Sequence, residues 1–174
     1  RCPGEARERI GAYLDTHPAA GLRAARSYAH VTDVLVSGIH HYCLEHLHPS
    51  PIRTKGQQLA IVAVGGYGRG EMAPFSDVDL LFLTPYKRSG GSESLVEIML
   101  YILWDLKLKV GQAVRSVAEC VRLGTQDLTI RTNLLETHFV CADRASLQPR
   151  DTRLCNELFL HTGPAFVEAD RAAS

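Results

Sequence analysis

The chain has 174 residues, 45% of them apolar and 22% charged, with a formal net charge of zero. That is the length of one domain, or of one domain plus a helical appendage, with enough chain to bury a core. The zero balance supplies no basic field that would draw the protein to nucleic acid. No apolar run approaches the ~20 residues that cross a bilayer, and the first residues (RCPGEARERI) lack a signal-peptide core. Five scattered cysteines, Cys2, Cys43, Cys120, Cys141 and Cys155, never fall in CxxC spacing. They read as reduced thiols, mostly small core residues, and not as a disulfide frame or zinc site. A cytoplasmic protein is expected, with neither membrane nor nucleic acid as partner.

In chain order, residues 5–48 read as helical. EARERIGAYLD is short and amphipathic, and from about Gly21 to His48 the residues Val31, Leu35, Ile39, Tyr42 and Leu47 recur at near-helical spacing. PSPIRTKGQQ then punctuates the chain as an exposed connection. LAIVAV, from Leu59, is a β-rich apolar run ending in glycines, a buried strand entering a loop. DVDLLFLT is a second strand, closed by Pro85 and a polar segment. Residues 92–107 predict a helix with Ser92 as N-cap and a core-facing stripe of Leu100, Tyr101, Leu103 and Trp104. LKVGQAVR suits a third strand, and VAECVRLG, LTIRTNLLETHFVCA and TRLCNELFLHTGPAFVEADRAA suit helices, the last broken at Gly163-Pro164. His40, His41, His46 and His48 cluster where the long helix ends and read as an exposed polar terminus. The expected architecture is α/β (α+β): a small mixed sheet flanked by helices. It divides into an N-terminal helical segment (1–50), a core (59–142) and a C-terminal helical segment (143–174) that stops within its own pattern.

The densest stretch is VGGYGRGEMAPFSDVDLLFL, residues 64–83. Closely spaced glycines permit positive φ and close backbone approach, so several N–H groups can face one anion. The loop is not GxxxxGK[ST], and Pro74, Ser76 and a strand follow too soon for a dinucleotide-fold helix. By itself it suits a tight turn equally well. Asp77 and Asp79, spaced i and i+2 on a strand, project to one face, while Val78 and Leu80 face the other. Two adjacent carboxylates repel unless a cation sits beside them, and Mg²⁺ is the natural ligand of such an all-oxygen pair together with substrate phosphates. An isolated Asp-x-Asp would suit a solvated strand start; after a strand and a glycine loop, the metal reading is the better one.

A strand ending in Gly-Gly, a short connection and Asp-x-Asp on the next strand resembles the nucleotidyltransferases of the DNA polymerase β superfamily. The fuller string GGYGRGEMAPFSDVDLLFL, with LWDLKLKVGQAVRSVAEC and QDLTIRTNLLETH, closely resembles the N-terminal nucleotidyltransferase domain of the bacterial PII uridylyltransferase/uridylyl-removing enzymes. The likeness covers residues 59–142 well and the N-terminal helices more loosely. It implies Mg²⁺-dependent transfer of UMP from UTP to a tyrosine of the PII nitrogen-regulatory protein, with release of pyrophosphate. It implies Gly65 and Gly66 as nucleotide-binding glycines and Asp77 and Asp79 as catalytic, metal-binding carboxylates. Arg69 is placed to contact phosphate or to pair with Glu71, Ser76 to donate to phosphate or to cap the turn, and Arg115 to reach the nucleotide or to flank the sheet. Superfamily enzymes usually add a third carboxylate, and the third strand carries none, with Gln112 where the family commonly shows histidine. Asp127 and Glu136 are the next candidates, although the first suits a helix N-cap and the second a solvated or ion-paired position. The family's uridylyl-removing and glutamine-sensing domains resemble nothing in these residues. The alternatives are a noncatalytic nucleotide- or partner-binding regulatory module of the same fold, or a nucleotidyltransferase with another acceptor.

Overall fold

The structure, a computed structural model, describes residues 3–49, 59–84 and 90–142. Two helices open it, α1 (Pro3–Thr16) and α2 (Gly21–Tyr42), the latter continued by a single π turn over Cys43–Leu47. Strand β1 (Ala60–Ala63) leads into a four-residue helical turn, α3 (Gly65–Gly68), and then β2 (Val78–Thr84). Helix α4 (Gly90–Asp105), strand β3 (Val110–Ser116), helices α5 (Val117–Gln126) and α6 (Leu128–Leu135), and strand β4 (His138–Ala142) complete the order.

The sheet runs β3-β2-β1-β4. β1 is antiparallel to both β2 and β4, whereas β2 and β3 are parallel and joined through α4. One face holds the main core: Ile61, Val78, Leu80 and Phe82 pack with Val36 of α2 and Met99 of α4. The other face is smaller, with Val62, Leu81 and Leu83 against Cys120 of α5 and Leu134 of α6. Both faces of β2 are covered, so that strand reads as an unbroken apolar run after Asp79.

The expected α/β architecture with a small mixed sheet is what forms, and β1, β2, β3 and α4 fall close to their sequence-derived ranges. Several local expectations are corrected. The stretch 128–142 is not one helix: α6 stops at Leu135, and HFVCA forms β4 on the free edge of β1. Ser92 is no N-cap, because α4 begins at Gly90 and Ser92 is buried within it. Trp104 and Tyr101 are not core-facing; they lie exposed with their rings edge to face at 5.8 Å, while Leu100 and Leu103 of the same helix are buried. His40 is buried on α2 instead of belonging to an exposed end, whereas His41 is exposed and pairs with Glu45 at 3.2 Å. Segments 50–58, 85–89 and 143–174, with the connection and the last helix expected there, lie outside the described residues.

On α2 the residues that meet the core are Ala29, Thr32, Val36 and Ile39, a stripe offset from the one the apolar spacing marked. Val31, Val34 and Tyr42 instead line an open apolar groove shared with Ile102 of α4, and Leu35 both lines that groove and packs at the margin of the core. No helix of the described residues is long and apolar enough to cross a membrane.

Candidate functional site

Strand directions decide what meets at the sheet's lower end. The antiparallel register pairs Ala63 with Leu80, so the chain leaving β1 arrives beside the start of β2. The Val64 amide donates to the Asp79 carbonyl at 3.1 Å, extending that pairing by one step. The parallel register sets Gly111 of β3 opposite Asp79, and β4 begins with His138 opposite Ala63. The glycine turn, Asp77, Asp79, Gly111 and His138 are thereby gathered from four strands at one end.

Val78 is buried in the main core, which turns its neighbours Asp77 and Asp79 to the opposite side. Asp77 is exposed and Asp79 half-buried. Asp79 fits between two glycines. Gly65 has φ 61, and a Cβ built on it would lie 3.6 Å from Asp79 Oδ2. A Cβ on Gly111 would collide with Asp79 Oδ1. Burial, and then the like charge of Asp77, push the Asp79 carboxyl above the usual carboxylate range. A pair of hard oxygen donors whose charge is penalised by burial and by mutual repulsion fits a divalent cation, which relieves both costs.

The glycine turn follows helical hydrogen bonding. Gly68 N donates to Val64 O at 3.0 Å, Arg69 N to Gly65 O at 3.0 Å, and Glu71 N to Gly66 O at 3.0 Å. The first N–H groups of such a turn have no carbonyl within it to receive them, so Gly65 and Gly66 bring amides to the aspartate end. Gly68 has no room for a side chain, since a Cβ there would strike the Glu136 carbonyl and approach Ala63 O to 2.9 Å. Tyr67 is 2% exposed and anchors the turn: its Oη donates to Asp33 Oδ1 at 2.7 Å.

The other expected site residues fall in three places. Arg69 pairs with Glu136, not with Glu71. Ser76 is exposed and its amide donates to Ala73 O at 3.1 Å, closing a turn in which Phe75 takes φ 68 and is 96% exposed. Arg115 stands opposite Leu83, about 13 Å along the strands from Gly111 at ~3.3 Å per residue. It lines a separate recess with Glu93, Gln112 and Glu119.

Among the described residues no group of three or more His, Cys, Asp or Glu side chains is placed to hold a metal ion. Asp127 caps α6, accepting from Ile130 N at 3.2 Å, and Glu136 is engaged by Arg69. β3 offers Gly111 and Ala113 on the face of Asp79, and the first of these admits no side chain without displacing the Asp79 carboxylate. The residues that sequence reasoning passed over are Asp33 and His138, whose separations from the motif left no local pattern, and Gly111, which reads as an ordinary strand glycine.

A family model described as a nucleotidyltransferase domain matches residues 51–138, and the chain belongs to that family. More narrowly, it is 50% identical over 152 residues to the bifunctional uridylyltransferase/uridylyl-removing enzyme of Ruegeria pomeroyi, a match covering 87% of this chain and 17% of that enzyme. Proteins of the same name from Cereibacter sphaeroides (46% identical; 90% of this chain, 17% of theirs) and Azospirillum brasilense (48%; 88% and 16%) are similarly alike. The chain thus spans about one-sixth of the length of these relatives.

Proposed function

We propose that this domain transfers UMP from UTP to a tyrosine hydroxyl of the PII signalling protein in the cytoplasm, releasing pyrophosphate, with Mg²⁺ held by Asp77 and Asp79. The observation that carries this reading is the seat of Asp79 between Gly65 and Gly111, beside Asp77 and at the mouth of the glycine turn. The names of the relatives support uridylyl transfer as the reaction. When bound, Mg²⁺ would neutralise charge on the reacting phosphate oxygens and lower the cost of the attacking oxygen's ionisation.

The chain's own groups bind and orient. Gly65 and Gly66 present amides to the triphosphate without intervening side chains. Asp77 and Asp79 would hold the cation at the strand end. The acceptor oxygen forms a bond to the α-phosphorus as the bond from the α-phosphorus to the bridging oxygen of the β-phosphate breaks; pyrophosphate leaves, and the phenol proton passes to solvent. Arg69, at the end of the turn, is a guanidinium within the phosphate-binding region, and Glu136 competes for it. Ser76 borders the site, whereas Arg115 would reach only a part of the nucleotide remote from the metal.

Among the described residues no third carboxylate joins Asp77 and Asp79, which favours a second reading, a noncatalytic nucleotide-binding module of the same fold. Incubation of the chain with PII protein, Mg²⁺ and labelled UTP separates the two, with Asp77→Asn and Asp79→Asn as controls. Label on PII that falls at least ~100-fold in either variant, the scale of a lost catalytic group, supports transfer. Label that survives both substitutions rejects the metal assignment. UTP binding without labelling by the unaltered chain supports the binding module.

A further inference from the structure

We propose that Asp33 of α2 is a positioning residue for the glycine turn, acting through Tyr67 and His138; this rests on reading that turn as nucleotide-binding. Asp33 lies outside the residues matched by the family model, on α2, a helix from which the proposed site takes no group. Its Oδ1 nevertheless accepts from Tyr67 Oη at 2.7 Å and lies 2.8 Å from His138 Nε2. The other ring nitrogen of His138, Nδ1, lies 3.2 Å from the Gly68 carbonyl. The His138 ring meets the Tyr67 ring edge to face, with centroids 5.3 Å apart. One carboxylate oxygen therefore holds the turn twice, by its central side chain and by its backbone.

The donors and acceptors define the charge state. Both partners of His138 are acceptors, a carboxylate and a carbonyl, and only the imidazolium donates from both nitrogens. Asp33 and His138 thus form a charged pair joining α2 to β4, with the turn between them. The Asp33 hydrogen bond raises the His138 pKa more than burial lowers it, in agreement with that assignment.

The geometry has a consequence for nucleotide binding. Gly68 is wedged against the Glu136 carbonyl on one side and Ala63 on the other, and Tyr67 fills a closed pocket. These contacts fix the depth of the turn, whereas the link to Asp33 fixes its rotation. Rotation decides whether the Gly65 and Gly66 amides point at the aspartate end. Loss of the link should loosen the turn and weaken triphosphate binding while leaving β1 and β2 in place.

The test uses the whole chain and the variants Asp33→Asn, Tyr67→Phe, His138→Gln and Asp33→Asn/Tyr67→Phe. Tyr67→Phe keeps the buried ring and deletes one hydroxyl, so it isolates the link from the packing. Two readouts are taken on folded protein: the dissociation constant for UTP with Mg²⁺, and amide hydrogen exchange residue by residue. Asp33→Asn and Tyr67→Phe should each weaken UTP binding about tenfold, the scale of one charge-assisted hydrogen bond. The double variant should be no weaker than Asp33→Asn by more than about twofold, because both remove the same link. Exchange of the Gly68, Arg69 and Glu71 amides should rise about tenfold in Asp33→Asn while β1 and β2 amides stay unchanged. His138→Gln should show a smaller rise at the same amides. UTP affinity within twofold of the unaltered chain in both single variants overturns the proposal. So does faster exchange spread evenly over the sheet, which would mark Asp33 as a general stabiliser. An unaltered chain that binds no UTP removes the nucleotide reading, and exchange at the turn then decides alone whether Asp33 holds it.

Discussion

At the scale of single residues, the site is shaped as much by absent side chains as by present ones. Asp79 can lie flat over β3 only because residue 111 is glycine, and a Cβ there would meet its Oδ1. Gly111→Ala should therefore move the Asp79 carboxylate and not merely crowd it. The expected result is a loss of nucleotidyl transfer of at least ~10-fold together with a stability cost of about 1–2 kcal/mol. Mn²⁺ or Mg²⁺ titration of the variant, followed by urea denaturation, separates the two effects. Full activity in Gly111→Ala would show that the Asp79 carboxylate does not need its present seat. Gly68→Ala is a different case, since the obstructing atoms are backbone on both sides and cannot swing away. That substitution should cost about 3 kcal/mol or more and lower the urea midpoint before any question of activity arises.

At the scale of elements, the features that show in the sequence are those whose period lies within one segment. The apolar runs of β1 and β2 and the i, i+2 spacing of Asp77 and Asp79 needed no partner to be read. β4 did not show, because HFVCA is five residues of mixed burial directly after a helical run, and only the exposed edge of β1 makes it a strand. The link from Asp33 to Tyr67 and His138 spans sequence separations of 34 and 105 residues, so no local pattern encodes it. This link ties β4 to α2 and should make part of the stability pH-dependent. His138 has a folded pKa above that of ordinary histidine, chiefly through the Asp33 hydrogen bond. Its contribution is then fully present below the unfolded value of about 6.5 and is lost as pH rises through the folded value. Both side chains are partly exposed, at 29% and 30%, so screening limits the pair to about 1 kcal/mol. Urea midpoints measured between pH 5.5 and 9 should fall with rising pH in the unaltered chain more than in Asp33→Asn. Parallel curves for the two proteins would mean that His138 does not carry the charge.

At the scale of the whole molecule, the N-terminal helices and the sheet share one core. Tyr28, Val36 and Cys43, from α2 and its π turn, belong to the same buried cluster as Ile61, Leu80 and Phe82. Val36, Cys43, Ile61 and Phe82 are all fully buried, so removing α2 would open one face of β1 and β2 to water. A Phe or Leu side chain loses roughly 1.5–3 kcal/mol when its burial is undone, and several would be uncovered together. Five or so such side chains together reach about 7–15 kcal/mol, comparable with the whole 5–15 kcal/mol by which a domain is usually stable. A shortened chain of residues 49–142 should consequently lack a cooperative thermal transition and dispersed amide resonances, whereas residues 3–142 should show both. Removal of α1 alone should be milder, because Ile10 only borders the cluster while α2 forms part of it. If residues 49–142 unfolded cooperatively on their own, the helical segment would be an appendage to an independent sheet, and Asp33 would be reaching into the site from a separable element. If they do not, the segment that supplies Asp33 is also the segment that closes the core. The position of the glycine turn and the stability of the fold would then depend on the same helix.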